Sequence, residues 1–334
     1  MSAITTISHP TGELYIEERE DGLRYLKAVP RDPSTYVPLS ALATRYSETL
    51  IRLIVDIKGV AWVCNEIERE ESVHQVRSNL KFGLLAFLPA EAFKGKTILD
   101  FGCGAGASTV ILGQMFPEAR IVGLDFLEQY RAECEERARF YGLGNVSFES
   151  MPSADKLPEV LESFDFIVLS AVFEHLLPEE RRTVFPELYG RFLKPGGIMF
   201  INELPYRYFP LERHTTGGLA LLNYLPDWLA FPYARLFTHA VVDSTWRDFL
   251  RNGIRGGSVT EIKSLIQRGG YAVPEILEPC YVGVEDDIGL WAAMTKDRRP
   301  DSRIDRYVPF LRLIKRLTGL SMIHMLTLAL RKPN

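Results

Sequence analysis

The chain has few cysteines, no strong charge of either sign and no long apolar run at its start. Its 334 residues include four cysteines, none of which forms a C-x-x-C pair, so we expect no zinc site. No other metal-ligand cluster is recognisable in the sequence, so we expect no metal site of another kind. The net charge of −4 gives no electrostatic argument for nucleic-acid binding. The first residues lack the basic and apolar regions of a signal peptide, so we expect a protein of the reducing cytoplasm.

A glycine-rich turn follows the first clearly predicted strand of the central region. Ile98 and Leu99 are apolar, and Asp100 follows them. Three glycines then come in alternation, at Gly102, Gly104 and Gly106. Glycine reaches positive φ and lets a ligand lie against the backbone. The dinucleotide fingerprint G-x-G-x-x-G places its third glycine later, so a nicotinamide oxidoreductase is the weaker alternative. Because Asp100 would repel an anion, the pattern favours a cationic nucleoside ligand.

The next predicted strand, residues 120–125, also ends in a carboxylate, Asp125. In a doubly wound sheet the carboxyl ends of the strands meet at one crevice, where such a carboxylate can accept hydrogen bonds from both ribose hydroxyls. We therefore expect Asp125 to be the ribose ligand.

Three later motifs complete an ordered set over about residues 95–205. They are 152–158 (Pro-Ser-Ala-Asp-Lys-Leu-Pro), 163–176, which ends in Glu-His-Leu, and the turn 193–197 (Leu-Lys-Pro-Gly-Gly). The set resembles class I S-adenosylmethionine (SAM)-dependent methyltransferases, in particular the small-molecule or type 11 methyltransferase-domain group. The resemblance implies SAM as the cofactor and an α/β fold with a Rossmann-like, doubly wound sheet of seven strands, the last one antiparallel.

The resemblance also implies cofactor contacts for residues of these motifs. Phe126 would lie against the adenine, with ordinary packing as the alternative. Ser153 stands where family members often have an aspartate that reads the adenine amino group, and the Ala154 N–H would face a ring nitrogen. Backbone near Ser170 would lie close to the methionine part. The full set is Asp100, Gly102, Cys103, Gly104, Gly106, Asp125, Phe126, Ser153, Ala154 and Ser170.

Three regions are predicted along the chain. Residues 1–94 form an N-terminal extension, with a hairpin at Asp21-Gly22 and helices over 40–88. Residues 95–297 form the SAM-binding domain, and 298–334 form a basic, amphipathic, helical tail.

Within the SAM-binding domain, residues 205–245 are too long for an ordinary connection. They are expected to fold as a helical lobe inserted after strand five, which covers the acceptor; a second small core or a homodimer contact is the alternative interpretation. A helix is expected at about 246–252 and another at 260–268. Residues 271–278 and 288–295 are expected to be the sixth and seventh strands.

Methyl transfer to a hydroxyl is assisted by a base that removes the hydroxyl proton. His214, in a polar loop of the inserted lobe, is the first candidate. The others are His239 in the same lobe, Glu203 at the end of strand five, and His175, whose Glu-His-Leu turn also favours a structural role.

The acceptor is expected to be a small molecule, a glycan or a lipid-linked compound, methylated on oxygen. The turn after strand four lacks the Asp/Asn-Pro-Pro-Tyr sequence with which the resembling nucleic-acid methyltransferases hold a flipped base, so nucleic acid is not expected. Residues 308–330 are interpreted as a helix packed on the core or, alternatively, as a segment at the inner face of the membrane. A non-catalytic SAM-binding or scaffold protein is the alternative to an enzyme.

Overall fold

The computed structural model describes residues 4–238 and 245–334. It begins with a four-stranded antiparallel sheet, whose strands lie in the order of the chain: β1 (Ile4–His9), β2 (Gly12–Glu18), β3 (Arg24–Pro30) and β4 (Ala41–Thr44). The hairpin predicted at Asp21-Gly22 is confirmed, because β2 and β3 pair from Gly12 opposite Pro30 to Glu18 opposite Arg24. Gly22, with φ of +75°, makes the tight turn.

Helices cover this sheet, as predicted for residues 40–88. Helices α1 (Glu48–Lys58) and α2 (Val60–Glu71) pack on this sheet, whereas α3 (Val76–Leu85) packs on the central sheet described next. Ser47 caps α1 by accepting a hydrogen bond from the Leu50 N–H at 3.2 Å. The start of the predicted region differs, since Ala41–Thr44 is β4 and not a helix. There Leu42 pairs with Leu26 of β3, so cross-strand packing decides the conformation of this short segment.

The central sheet has seven strands, which are β5 (Thr97–Phe101), β6 (Arg120–Asp125), β7 (Val146–Ser150), β8 (Phe164–Ser170), β9 (Leu193–Pro205), β12 (Glu275–Leu277) and β13 (Met325–Arg331). They lie in the order β12-β13-β9-β8-β5-β6-β7. Strand β13 runs antiparallel to both of its neighbours, whereas the pairs β9-β8, β8-β5, β5-β6 and β6-β7 are parallel. The Rossmann-like sheet with an antiparallel last strand is therefore confirmed.

The predicted position of that last strand is wrong. Residues 288–295 belong to a helix, α10 (Asp287–Arg298), which Asp286 caps by accepting from the Gly289 N–H at 2.6 Å. Strand seven is instead β13, which lies inside the predicted tail. Its residues Leu326, Leu328, Ala329 and Leu330 are buried between β9 and β12, so this part of 308–330 is not available to a membrane.

The remaining helices of the central region flank the sheet. They are α4 (Ala107–Met115), α5 (Arg131–Phe140), α6 (Pro178–Glu187), α9 (Val259–Arg268) and, after α10, α11 (Val308–Thr318). Helix α9 begins one residue before the predicted segment 260–268, and the short strand β12 lies within the predicted segment 271–278. No helix in the described part of the chain is both long and apolar enough to cross a membrane.

The connection after β9 contains a small hairpin and two helices. These are β10 (Leu211–Glu212), β11 (Leu219–Ala220), α7 (Asp227–Phe237) and α8 (Trp246–Arg251). They enclose a core of their own, formed by Leu222, Ala230, Ala234, Phe249 and Ile254. The segment therefore folds as a lobe above the carboxyl end of the sheet, while its role and the boundaries of the three predicted regions stay predictions.

Candidate functional site

The glycine turn joins the end of β5 to the start of α4. Gly102 has φ of +73°, and a Cβ there would lie 2.7 Å from the side chain of Val172, so this position tolerates only glycine. Gly104 has φ of +52°, and a Cβ there would meet nothing within 4 Å. The backbone at Gly104 therefore faces open space, where a ligand can lie against it.

Two carboxylates stand at this turn. Asp100 is buried and accepts hydrogen bonds from the hydroxyls of Ser108 at 2.6 Å and Thr109 at 2.7 Å. Burial raises the pKa of Asp100 to about 6. Asp125 ends β6, and its two oxygens accept from the N–H groups of Gly104 and Leu127, each at 2.9 Å. A carboxylate has about four lone-pair sites, so Asp125 retains acceptors for further hydroxyl donors.

Apart from Asp100, Gly102 and Gly106 in the turn itself, the predicted cofactor residues fall into two groups in the structure. Cys103, Gly104 and Asp125 line one cavity, together with Tyr130, Cys134 and Phe148. Sequence reasoning missed Cys134, whose sulfur lies 3.3 Å from the carbonyl oxygen of Gly104. Nothing in the sequence signalled that contact, because Cys134 reaches the turn from helix α5.

The second group lies outside the lining of that cavity. Phe126 is exposed. The hydroxyl of Ser153, next to Ala154, donates to Asp155 at 2.6 Å, and Ser170 accepts from the amide of Asn202 at 3.4 Å. Their cofactor contacts stay predictions.

The Glu-His-Leu turn lies after β8, at the same carboxyl edge. Glu174 is fully buried, neither of its carboxylate oxygens has a hydrogen-bond partner among the described residues, and burial raises its pKa to about 8. His175 Nε2 lies 3.8 Å from Glu174 Oε1, and His175 Nδ1 lies 2.8 Å from the carbonyl oxygen of Arg251. Arg181 and Arg251 hold the turn by donating to the carbonyls of Glu174 and His175.

His214 comes to this turn from the inserted lobe. Its ring centre lies 5.5 Å from that of His175. The buried carboxylate of Glu212 fixes the loop, since it accepts from the N–H groups of His214, Thr215 and Thr216. Desolvation lowers the pKa of both His175 and His214, so both rings are neutral at pH 7. The structure thus brings two of the predicted catalytic residues together.

The other two predicted bases are placed differently. Glu203 is held in an ion pair with Arg298 at 2.7 Å and lines a neighbouring cavity of about 300 Å³. His239 lies outside the described residues. The same cavity is lined by Trp291 and by His324, whose pKa burial lowers to about 4. Sequence reasoning missed Glu174 and His324; a carboxylate within the apolar Val-Phe-Glu-His-Leu turn was the available signal for Glu174.

Part of the chain is similar to known methyltransferases. Residues 98–197 match the family model described as a methyltransferase domain. Among solved structures, similarity extends to an O-methyltransferase family protein from Burkholderia thailandensis, with a TM-score of 0.45 and 15% identity over 85% of this chain and 62% of that one. It also extends to human N-acetylserotonin methyltransferase in complex with SAM, with a TM-score of 0.41 and 14% identity over 87% and 57%.

Curated relatives are methyltransferases too. Trans-aconitate 2-methyltransferase of Methylobacterium radiotolerans is 29% identical over 49% of this chain and 50% of its own length. The human mitochondrial ubiquinone biosynthesis O-methyltransferase is 29% identical over 39% and 34%, so the chain spans half or less of the length of these two relatives. Demethylmenaquinone methyltransferase of Geobacillus stearothermophilus is 32% identical over 47% of this chain and 70% of its own length.

Fold and glycine turn thus define a Rossmann-like nucleoside-binding domain. The chain belongs to the class I SAM-dependent methyltransferase family, and SAM is its cofactor. The residues present fit SAM, because the backbone at Gly104 is open and the carboxylates of Asp100 and Asp125 suit a positively charged ligand.

Proposed function

We propose that this protein transfers a methyl group from SAM to a hydroxyl oxygen of a small-molecule acceptor. One observation carries the proposal: the open glycine turn with Asp125 and the pair of neutral histidines lie at the same edge of the sheet. Bound SAM supplies a methyl group activated by a sulfonium. The protein then has to orient the acceptor, exclude water and accept a proton.

The cofactor-binding residues are proposed as a set with distinct tasks. Asp125 accepts hydrogen bonds from the ribose hydroxyls, and the backbone at Gly104 lies against the ligand. Asp100 places negative charge behind the turn, which favours a cation. We propose that Gly102, Cys103 and Gly106 shape the turn, and that Phe126, Ser153, Ala154 and Ser170 contact the adenine and methionine parts.

His214 is proposed as the base, with His175 as the second candidate. Both rings are neutral at pH 7 because desolvation lowers their pKa, so each offers a lone pair to a hydroxyl proton. Glu203 is less suited to this role, since Arg298 already binds its carboxylate. We propose that Glu203 instead fixes this arginine at the wall of the adjoining cavity.

That cavity is proposed as the acceptor pocket. Its apolar wall includes Trp291 and Met294, and three guanidinium groups, Arg213, Arg298 and Arg299, lie around it. This lining suits an acceptor with an apolar body and an anionic group. The names of the relatives support a small-molecule acceptor, because they refer to trans-aconitate and to quinones.

A lipid-linked acceptor is the second candidate, because α11 exposes an apolar face. Phe310, Leu313 and Leu317 are exposed there, whereas Arg312 and Lys315 are engaged by Asp286 and Asp287 at the start of α10. We propose that this face, defined by Tyr307, Phe310, Leu313, Leu317 and Leu320, contacts the inner surface of a membrane.

Flotation with vesicles that contain phosphatidylglycerol tests the membrane contact. Replacement of Leu313 and Leu317 by Glu should abolish flotation, whereas Leu236→Glu, at a position on α7 nearly as exposed as Leu317, should leave it unchanged. Equal flotation of both variants would remove the α11 face from the proposal. A glycan is the alternative acceptor, and identification of the labelled acceptor tests it. A homodimer contact through α7 is the alternative role of the lobe, and size-exclusion chromatography tests it.

Transfer of radiolabelled methyl from SAM to fractions of a cell extract tests the activity itself. We expect one labelled small molecule with the wild-type protein and none with Asp125→Ala. The variant should also bind SAM at least tenfold more weakly by calorimetry, because charge-assisted hydrogen bonds contribute about 1.5 to 3 kcal/mol each. Tight SAM binding without transfer to any fraction would support the non-catalytic alternative.

A further inference from the structure

We propose that Glu174, His175 and His214 bind a divalent transition-metal ion. Each side chain offers one ligand atom, and these atoms all lie within 4.8 Å of one another. One carboxylate oxygen and two imidazole nitrogens form a ligand set that suits first-row ions such as Zn²⁺, Mn²⁺ or Fe²⁺. The sequence hides this set, because His214 reaches the other two residues only through the inserted lobe.

The state of Glu174 points independently to a ligand. The side chain is fully buried, and neither carboxylate oxygen has a hydrogen-bond partner among residues 4–238 and 245–334. The neighbouring guanidinium of Arg181 is directed elsewhere, to the carbonyls of Leu176 and Glu174 and to the carboxylate of Glu261. A buried carboxyl group without a hydrogen-bond partner is costly, and a bound cation would supply the missing partner of its ionised form.

The ring of His175 is oriented as that of a metal-bound histidine usually is. The carbonyl of Arg251 lies 2.8 Å from His175 Nδ1 and accepts a hydrogen from it, which leaves the lone pair on Nε2, the nitrogen on the side of Glu174. This second contact fixes the tautomer and the ring plane. The loop of His214 is fixed in turn by the carboxylate of Glu212.

Space for an ion is preserved by Gly253. Its φ is +90°, and a Cβ there would lie 2.8 Å from His214 Nε2 and 3.1 Å from Glu174 Cγ. Any other residue would therefore press on two of the three ligands. His214 is exposed and His175 is half-buried, so coordination positions stay open to water or to an acceptor.

The ion would have a role in the methyl transfer described above, and this role rests on the proposed function. A hydroxyl bound to a divalent ion has a lowered pKa and gives up its proton to solvent more readily. His214 cannot be a ligand and a proton acceptor in the same complex. Metal binding would therefore replace His214 as the base.

Cobalt and zinc titrations of the untagged, chelator-treated protein test the site. We expect one Co²⁺ per chain, with visible absorption bands typical of nitrogen and oxygen ligands, and one Zn²⁺ by calorimetry. Glu174→Gln and His214→Gln should each weaken the affinity at least tenfold, since loss of even an outer contact costs 10- to 100-fold. His74→Gln, an exposed histidine between α2 and α3, is the matched control.

The outcomes separate the alternatives. No stoichiometric ion in the wild type, or the same affinity in His214→Gln and His74→Gln, would overturn the proposal. His214 lies in an exposed loop, so its variant should stay folded, and circular dichroism verifies this. SAM calorimetry on the same samples keeps the two hypotheses apart: SAM binding without metal binding rejects the metal site and leaves the proposed function standing.

Discussion

Replacement of Glu174 by Gln should make the protein more stable at alkaline pH. The wild-type carboxyl is buried without a partner, and burial raises its pKa from 4.5 to about 8. As pH rises through 4.5, the carboxyl ionises in the unfolded chain but stays protonated in the folded one. The folded state then holds the extra proton, so the free energy of unfolding falls across this window and reaches its low plateau above about pH 8.

The magnitude follows from the width of that window. A pKa difference of one unit corresponds to about 1.4 kcal/mol, so the loss has a ceiling of about 5 kcal/mol between pH 4 and pH 9. Glutamine keeps the shape of the side chain and does not ionise. The variant therefore lacks this loss, and its stability relative to wild type should rise by several kcal/mol over the same range.

Urea unfolding of chelator-treated protein near pH 5, 7 and 9 measures the difference. Other titrating groups are shared by the two proteins and cancel in the comparison. Glu20→Gln, at an exposed position, should follow the wild-type curve throughout. Parallel curves for wild type and Glu174→Gln would refute the reasoning, since they would show that the carboxylate is not buried alone.

Three further predictions concern the cofactor turn and the last strand. Gly104→Ala should reduce the SAM affinity measured by calorimetry. Gly142→Ala is the control, since Gly142 has a similar positive φ and an added Cβ there would meet nothing within 4 Å; it should lower stability by a similar amount, about 1 to 2 kcal/mol, and leave SAM binding unchanged. Equal SAM affinities of the two variants would contradict a ligand at Gly104. SAM affinity should weaken as pH falls through about 6, where Asp100 becomes neutral, and a flat profile between pH 5 and 8 would exclude its electrostatic role. Removal of residues 320–334 should prevent folding, as judged by circular dichroism. Each buried side chain of β13 contributes about 1.5 to 3 kcal/mol, so the free energy lost with several of them approaches the free energy of unfolding of a typical domain. A folded truncated protein would contradict the observed sheet.

The parallel part of the sheet could be predicted from sequence because each strand carries its own local signal. Strands β5, β6 and β8 are buried on both faces, so they are continuous apolar runs. Each run ends where the carboxylates and glycines of the site begin. Local composition therefore predicts both the strand and the edge at which it contributes to the site.

The last strand could not be placed in the same way, because two segments compete for the position. Alternate residues of α10 are buried, namely Ile288, Leu290, Ala292 and Met294, and this alternation is the pattern typical of a strand. A helix can show it here because α10 packs against three neighbours, α3, β13 and α11. The Asp286 cap favours the helix. Residues 325–331 follow a basic helix, so the sequence groups them with that helix, although their alternating Leu residues fit a strand equally well.

The histidine pair shows a different limit of sequence reasoning. Glu174 and His175 are adjacent, and a short 3₁₀ turn fixes their geometry, whereas His214 belongs to a loop whose position depends on the core of the inserted lobe and on the Glu212 carboxylate. No local pattern carries that information. The site exists because parallel strands deliver the turns after β5, β6 and β8 to one edge, while the long connection after β9 folds back over the same edge. A substitution in the lobe core, such as at Phe249, should therefore change the position of His214 and leave the conformation of the cofactor turn unchanged.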